Sequence, residues 1–177
     1  MIVEVEAAPA MIDALDARGW LLDEEEPALA LTPLPQPEEL PAPPSGLDIQ
    51  LVTTLAAFED FSAIAQTSGR WVPSLEAATD PAVALFVGYV GGLPAATARL
   101  GVYGAIGDIN GVVTVPAFRR RGFGTALTWA AIAEGARRGC TAMTLTATDM
   151  GYPIYLRMGF EPVCTYRTYV PPTSPAE

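Results

Sequence analysis

Three consecutive arginines, Arg119 to Arg121, stand directly before two glycines, Gly122 and Gly124, in the segment VPAFRRRGFGTAL. The apolar residues before the arginines are typical of a strand and those after the glycines of a helix, so the segment is a strand-to-helix junction. The first turn of a helix exposes backbone N–H groups and the positive end of the helix dipole, which together bind anions. Glycine lets a ligand approach the backbone, and arginine donates hydrogen bonds to phosphate oxygens. The junction therefore predicts a pyrophosphate-binding site, with a solvated surface turn as the alternative.

Two common pyrophosphate-binding motifs do not fit this junction. A P-loop requires a lysine after its second glycine, and the sequence contains no lysine. The dinucleotide-binding motif requires a third glycine, but Leu127 occupies that position. That motif also requires an acidic residue about twenty positions further on, and Asp149 comes too late in the sequence.

A third motif does fit. The pattern Arg119-x-x-Gly122-x-Gly124, preceded by Thr114-x-Pro116, resembles the acyl-CoA loop of the GNAT superfamily of N-acetyltransferases. The signature of that loop is Gln/Arg-x-x-Gly-x-Gly/Ala, usually after Val-x-Pro. The segment YLRMGFEPV, residues 155–163, resembles the Tyr-x-x-x-Gly-Phe block of the same superfamily. The resemblance covers roughly residues 47–170 and leaves residues 1–46 outside it.

The resemblance implies acetyl-CoA as the acyl donor and indicates which residues would bind it. The backbone of Val112, Val113 and Thr114 would bind the pantetheine arm in the way a sheet edge binds an added strand. Arg119, in the first position of the signature, would reach the 3′-phosphate or only solvent. The pyrophosphate would be held through the N–H groups of Arg120, Arg121, Gly122, Phe123, Gly124 and Thr125.

The resemblance also implies a catalytic tyrosine. Tyr155 would be the general acid that protonates the departing CoA sulfur, and the alternative is a core aromatic on a short helix. Thr148 stands where many members carry an asparagine, and it is a candidate contact for the CoA arm. The neighbouring Asp149 is expected to be the N-cap of the following helix.

The general base is left open by the sequence, because the chain contains no histidine. Carboxylates or a water relay remain, with Asp108 as the first candidate and Glu59 as the second, although either could be an ordinary solvated carboxylate. Trp71 would line the acceptor pocket or belong to the core. Without histidine or a cysteine cluster, no metal site is predicted.

The elements that must position these residues alternate in type. Gly91-Gly92 predicts a hairpin turn, and Gly139 is expected to end the long helix that follows the glycine-rich loop. Thr53 or Thr54 is expected as an N-cap. The resulting prediction is an α+β fold of GNAT type, with a mixed, mostly antiparallel central sheet flanked by helices and splayed at the strand before the CoA loop. Strands are expected over 47–52, 82–90 and 142–148, and helices over 54–66, 122–138 and 152–158.

The N-terminal region has a different composition. Residues 32–46 are rich in proline and form a linker or a strap along the surface. Before them, a short β/α unit with a strand over 2–5 contains LDARGWLLDEEEPALAL, which resembles YLRMGFEPVCTYRTYV in running from a helix through Gly-aromatic into a strand. The likeness indicates a remnant of a duplicated domain or arises by chance. The predicted organisation is a β/α unit over 1–31, a linker over 32–46, an acetyltransferase domain over 47–171 and a flexible tail over 172–177.

Charge and hydropathy restrict the partners. A net charge of −10 argues against nucleic acid and favours a cationic acceptor. No apolar run reaches the ~20 residues of a membrane span, and the N-terminus lacks the basic start of a signal peptide. We therefore expect a cytoplasmic protein without membrane partners.

The resemblance predicts an N-acetyltransferase that moves an acetyl group from acetyl-CoA to a primary amine by direct transfer in a ternary complex. A cationic small molecule or a peptide N-terminus would be the acceptor. The first alternative is a non-catalytic module that binds acyl-CoA. A second alternative gives residues 1–46 the role of a dimerisation arm, which would donate a strand to another copy in a homodimer.

Overall fold

The computed structural model describes residues 2–4, 8–69 and 72–172, with backbone only for 2–4. Val5, Trp71 and residues 173–177 of the expected tail lie outside the described residues. Backbone contacts divide the chain into two compact units, one formed by Met1–Leu31 with Leu145–Glu177 and the other by Thr32–Thr144. The domain organisation expected from the sequence stays a prediction.

The described residues contain strands and helices that alternate along much of the chain. The strands are β1 (Ile2–Glu4), β2 (Leu21–Leu31), β3 (Leu47–Leu51), β4 (Val83–Val90), β5 (Leu93–Tyr103), β6 (Ile106–Thr114), β7 (Ala142–Thr146) and β8 (Glu161–Val170). The α-helices are α1 (Pro9–Asp16), α2 (Leu55–Gln66), α3 (Leu75–Ala78), α4 (Phe123–Arg137) and α5 (Tyr152–Arg157). Five strand pairs of the described residues, β1–β8, β2–β8, β3–β4, β4–β5 and β5–β6, are antiparallel, and β6–β7 is parallel. This confirms the predicted α+β fold with a mixed, mostly antiparallel sheet.

The unit formed by residues 32–144 holds the glycine-rich loop. Its strands pair in the order β3, β4, β5, β6 and the first residues of β7. Gly91 and Gly92 both have positive φ, as a two-residue hairpin between β4 and β5 requires. A core cluster joins Phe61 and Ile64 of α2 to β4. Thr54 is the N-cap of helix α2, and its hydroxyl accepts the N–H of Ala57 at 3.2 Å, so the second of the two predicted caps is the one used.

Helix α4 is held at its C-terminal end by a buried carboxylate. Glu134 accepts hydrogen bonds from the guanidinium groups of Arg137 and Arg138, with its closest contact to each at 2.7 Å. Arg138 also donates to the carbonyl of Pro81 at 2.8 Å, which ties the helix end to the chain just before β4. Gly139 follows with a φ of 91°, which confirms the predicted end of this helix.

The proline-rich segment lies against α4 in this same unit. Its residues Leu40, Pro41 and Pro43 line one groove together with Trp129 of α4 and Ile49 of β3. The strap interpretation of the sequence therefore describes this part of the segment better than a free linker does.

The unit formed by residues 1–31 and 145–177 pairs the two similar segments with each other. Strand β2 runs antiparallel to β8, with Leu21 opposite Val170 and Ala30 opposite Glu161. Each strand is preceded by a helix and a left-handed glycine, Gly19 before β2 and Gly159 before β8. The sequence likeness thus corresponds to a shared local structure, and its origin in a duplication stays a prediction.

Candidate active site

The chain between β6 and α4 makes a tight turn that leaves a helix start open. A 3₁₀ turn over Pro116–Phe118 follows β6, and Gly122 occupies the N-cap of α4 with a φ of 79°. The first bond within the helix runs from the N–H of Ala126 to the carbonyl of Gly122, at 2.9 Å. The N–H groups of the three residues between them have no partner within the helix, and Gly122 has no side chain that could cap them. This arrangement suits an anion.

Arg120 takes an unusual backbone conformation in the same turn. Its φ is 60°, and it is the one non-glycine residue with positive φ among those described. A left-handed conformation costs a non-glycine residue roughly 1–2 kcal/mol, and such strain is concentrated at functional sites. The backbone of the turn is therefore held in a conformation that an arginine at position 120 does not favour by itself.

The three arginine side chains differ in their contacts. Arg119 donates its Nε hydrogen to the carbonyl of Thr114 at 3.1 Å. The guanidinium of Arg121 lies over the ring of Phe118, 5.6 Å from its centroid, and that ring contacts the buried Phe123. Arg120 is exposed. In the described part of the chain none of the three forms an ion pair, so their positive charge is available to a ligand.

Gly122 and Gly124 are needed for different reasons. A side chain at Gly122 would be strained by the positive φ. A Cβ at Gly124 would lie 3.5 Å from Cγ1 of Val112 and 3.6 Å from Oγ1 of Thr114, which is ordinary contact. Alanine therefore fits at Gly124, whereas a long side chain there would extend into the space at the helix start. The space in front of the helix start is therefore open to an anionic ligand.

Strand β6 offers a free edge within its own unit. Its pairing with β7 is confined to Ile106, Gly107 and Asp108, whereas its pairing with β5 extends to Thr114. Beyond Asp108, no strand of the described residues 32–144 lies on the β7 side of β6. The predicted splay is present, and the backbone of Val112 to Thr114 can bind a peptide-like arm.

A β-bulge interrupts β6 within this edge. Thr97 and Arg99 of β5 stand opposite Val113 and Asn110, so β6 contains one more residue than β5 over this stretch. Gly111 lies in the bulge with a φ of 61°. The sequence analysis missed this feature, although a glycine inside a strand is its usual signal.

Asp108 lies at the other end of the free edge. Its carboxylate accepts a hydrogen bond from the side-chain amide of Asn110 at 2.8 Å and a longer one from the hydroxyl of Thr144 at 3.4 Å. It lies six positions before Thr114, which corresponds to about 20 Å along an extended strand. Glu59, the second candidate base, is exposed on α2.

Tyr155 and Thr148 belong to the other unit. Tyr155 is partly buried on α5, and its ring lies edge-on to Phe160 with the centroids 5.9 Å apart. A Cβ at Gly151 would approach Cε2 of Tyr155 to 3.0 Å, so this glycine, which sequence analysis missed, makes room for the ring. The Thr148 hydroxyl accepts the N–H of Gly151 at 3.3 Å. The prediction that Asp149 caps α5 is wrong, because Gly151 occupies the N-cap position and no side chain caps this helix. Thr148 instead stabilises the turn just before the helix.

One further tyrosine has a shifted acidity. The Tyr89 hydroxyl donates to Asp60 at 2.9 Å, in the unit formed by residues 32–144. Burial first, and then the hydrogen bond and charge of Asp60, raise the pKa of Tyr89 from 10.0 to about 12. This pair links β4 to α2 and lies outside the residues assigned to the donor site.

Comparison with known proteins agrees with this geometry. A sequence model of the Acetyltransferase (GNAT) family matches residues 51–160, more than half of the chain. The chain belongs to this family. Members of the family are acyltransferases that use acetyl-CoA, and the match includes both motifs on which the resemblance was based.

Solved structures show the same fold. A GCN5-related N-acetyltransferase from Kribbella flavida has a TM-score of 0.80 and 26% identity, over 98% of this chain and 68% of that one. One from Sphaerobacter thermophilus has a TM-score of 0.70 and 20% identity, over 95% of this chain and 57% of that one. A predicted acetyltransferase from Clostridium acetobutylicum, crystallised with acetyl-CoA, has a TM-score of 0.55 and 17% identity, over 66% of this chain and 91% of that one.

Three further findings concern curated relatives, membrane-spanning helices and metal sites. No functionally curated protein matches the chain. Among the residues that the structure describes, no helix is long and apolar enough to cross a membrane. In those same residues no three histidine, cysteine or carboxylate side chains come together as a metal site.

Proposed function

We propose that the protein transfers the acetyl group of acetyl-CoA to a primary amine by direct transfer in a ternary complex. The observation that supports this most strongly is the open start of α4 behind Gly122, beside three arginines that have no carboxylate partner among the described residues. An anion there satisfies backbone donors, the helix dipole and the side-chain charge together. The net charge of −10 over the whole chain favours an acceptor that is itself a cation.

In this proposal the start of α4 and the edge of β6 bind different parts of acetyl-CoA. The N–H groups of Phe123, Gly124 and Thr125 bind the pyrophosphate, with Arg120 and Arg121 supplying charge. Arg119 keeps its bond to Thr114 or reaches the 3′-phosphate. The pantetheine arm lies along the free edge of β6 at Val112, Val113 and Thr114, and Thr148 is a further candidate contact.

The transfer itself requires three proton or charge movements. The nitrogen of a neutral amine forms a bond to the thioester carbon while the carbon–sulfur bond breaks. A strand N–H near Val113 donates to the carbonyl oxygen as negative charge develops on it. Tyr155 gives a proton to the departing sulfur, and Asp108 receives the proton lost by the amine, either directly or through water.

The first experiment is calorimetric titration of the full chain with acetyl-CoA, beside the variants Gly124→Glu and Gly124→Ala. We expect micromolar binding by the wild type, retained in Gly124→Ala because a methyl group fits beside Val112 and Thr114. Gly124→Glu should lose binding, since a carboxylate then occupies the anion site. Circular dichroism checks that each variant is folded. No binding by the folded wild type would overturn the proposal.

A screen of amines then tests the reaction. Release of free CoA thiol in the presence of a polyamine, an aminoglycoside or a peptide N-terminus would identify the acceptor class. Intact binding with no transfer to any amine would instead favour the non-catalytic module that binds acyl-CoA. The role of Tyr155 is tested with Tyr155→Phe, which should lower turnover and not the affinity for acetyl-CoA.

A further inference from the structure

The bulge of β6 is fixed by one buried side chain of the neighbouring strand. Thr97 on β5 has a relative exposure of 0%, and its hydroxyl donates to the carbonyl of Gly111 at 3.0 Å. A buried hydroxyl needs a partner, and a bulge leaves backbone groups without their regular strand partners. The two requirements satisfy each other, so the conformation of the bulge depends on a threonine side chain.

This hydrogen bond also determines the direction of a neighbouring N–H group. The peptide bond between Gly111 and Val112 is planar and trans, so its carbonyl and its N–H point in opposite directions. Because the carbonyl of Gly111 is turned toward Thr97, the N–H of Val112 is turned away from it. Val112 lies beyond Asp108, where β6 has lost the pairing with β7. The N–H is therefore directed from β5 toward the free edge.

We infer that Thr97 is a positioning residue for acetyl transfer, which aims the N–H of Val112 at the carbonyl oxygen of the bound thioester. The inference rests on the proposed function, in which a strand N–H near Val113 polarises that oxygen. Thr97 touches neither donor nor acceptor and acts through the peptide of Gly111. A donor fixed in advance stabilises developing charge without reorganising during the reaction, which is the advantage of a rigid bulge over a flexible loop.

The test uses acetyl-CoA labelled with carbon-13 at the thioester carbonyl and follows its resonance on binding. In the wild type the hydrogen bond should move the carbonyl resonance downfield from its position in free acetyl-CoA. Thr97→Val, which keeps the shape and removes the hydroxyl, should lose most of that shift. Thr97→Ser, which keeps the hydroxyl, should retain it. The dissociation constant for acetyl-CoA should be unchanged in both, because the pyrophosphate site is untouched.

A matched control separates this effect from general destabilisation. Tyr89→Phe also removes one side-chain hydrogen bond from the same unit and should leave the carbonyl shift unchanged. If Thr97→Val does not fold, the amide resonance of Val112 in the wild type is followed instead, because it reports a hydrogen bond from this N–H to the thioester. It should move downfield with acetyl-CoA and less with free CoA.

Each outcome is decisive. A full carbonyl shift in folded Thr97→Val, or equal effects of acetyl-CoA and CoA on the Val112 amide, would overturn the role of Thr97 and leave the proposed function standing. Failure of the wild type to bind acetyl-CoA would overturn both.

Discussion

The two ends of helix α4 both carry arginines, yet they use them in opposite ways. At the C-terminal end, Arg137 and Arg138 complement the helix dipole and enclose the buried Glu134. At the N-terminal end, Arg119 to Arg121 lie beside the positive end of the dipole, where cations are unfavourable, and none forms an ion pair among the described residues. Arginines at the C-terminal end are thus satisfied by the protein itself. In our proposal those at the N-terminal end are satisfied by the phosphates of a bound ligand, so that one helix carries structural charge at one end and ligand-binding charge at the other.

The largest expected effect comes from removing the N-terminal charges together. The triple variant Arg119→Gln, Arg120→Gln, Arg121→Gln should lose about 100-fold in affinity for acetyl-CoA, because several charge-assisted hydrogen bonds to phosphate are lost. Its thermal stability should stay level or rise, by up to about 1 kcal/mol, since unfavourable charge next to the helix dipole is removed. Calorimetry and thermal unfolding measure the two quantities. Arg137→Gln, at the other end of the same helix, is the control and should bind normally.

A smaller effect of the opposite kind is expected from Glu134→Gln. The free energy of unfolding should fall by about 2 kcal/mol, because Arg138 keeps its position with a weaker partner. The affinity for acetyl-CoA should not change. Urea unfolding at neutral pH measures the loss. An equal loss of affinity in this variant would mean that the two ends of α4 do not have separate roles.

The Glu134 site also has a defined pH dependence. Hydrogen bonding from Arg137, followed by that from Arg138, holds the pKa of Glu134 below its ordinary value of 4.5, against the opposing effect of burial. A carboxyl group with a lowered pKa in the folded state stabilises the protein above its ordinary pKa, and this stabilisation is lost as the pH falls. The difference between wild type and Glu134→Gln should therefore shrink from neutral pH to about pH 3.

The smallest effect is expected from a substitution of Tyr89, which belongs to neither of the two arginine groups at the ends of α4. Tyr89→Phe should cost about 1 kcal/mol through the lost hydrogen bond to Asp60. Because the pKa of Tyr89 is raised from 10.0 to about 12, its contribution is complete below pH 10 and is lost as the pH rises through 12. Ultraviolet titration of the phenols should show one late-ionising tyrosine in the wild type that is missing from Tyr89→Phe. An unchanged titration would place the shift on another tyrosine.

Features set by neighbouring residues in the chain were predictable. Helix α4 was expected over 122–138 and runs over Phe123–Arg137, because its start and end are marked by glycines. The Thr54 cap and the Gly91-Gly92 turn follow from the same local chemistry. The loop that we propose to bind the donor belongs to this class, since its glycines and arginines lie next to one another in the sequence.

Features set by residues far apart in the sequence were not predictable. The short helix α3 carries too few residues to show a period. The contact of Thr97 with Gly111 requires the register of β5 against β6, and a shift of one residue would turn Thr97 to the other face of the sheet. The space that Gly151 leaves for the Tyr155 ring was not predictable either, because the position of that ring cannot be inferred from spacing.

The pairing of β2 with β8 has a practical consequence for anyone who shortens the chain. The family match begins at residue 51 and ends at residue 160, immediately before β8. A shortened chain designed from this match would therefore lack both β2 and β8. A fragment without β2 would leave the backbone donors and acceptors of β8 unpaired along most of its length. Such an edge associates with other chains, so an increase in mass after deletion of residues 1–40 would report an exposed strand rather than a natural dimer. Point substitutions in β2 that preserve the ladder are the safer route to the function of the N-terminal segment.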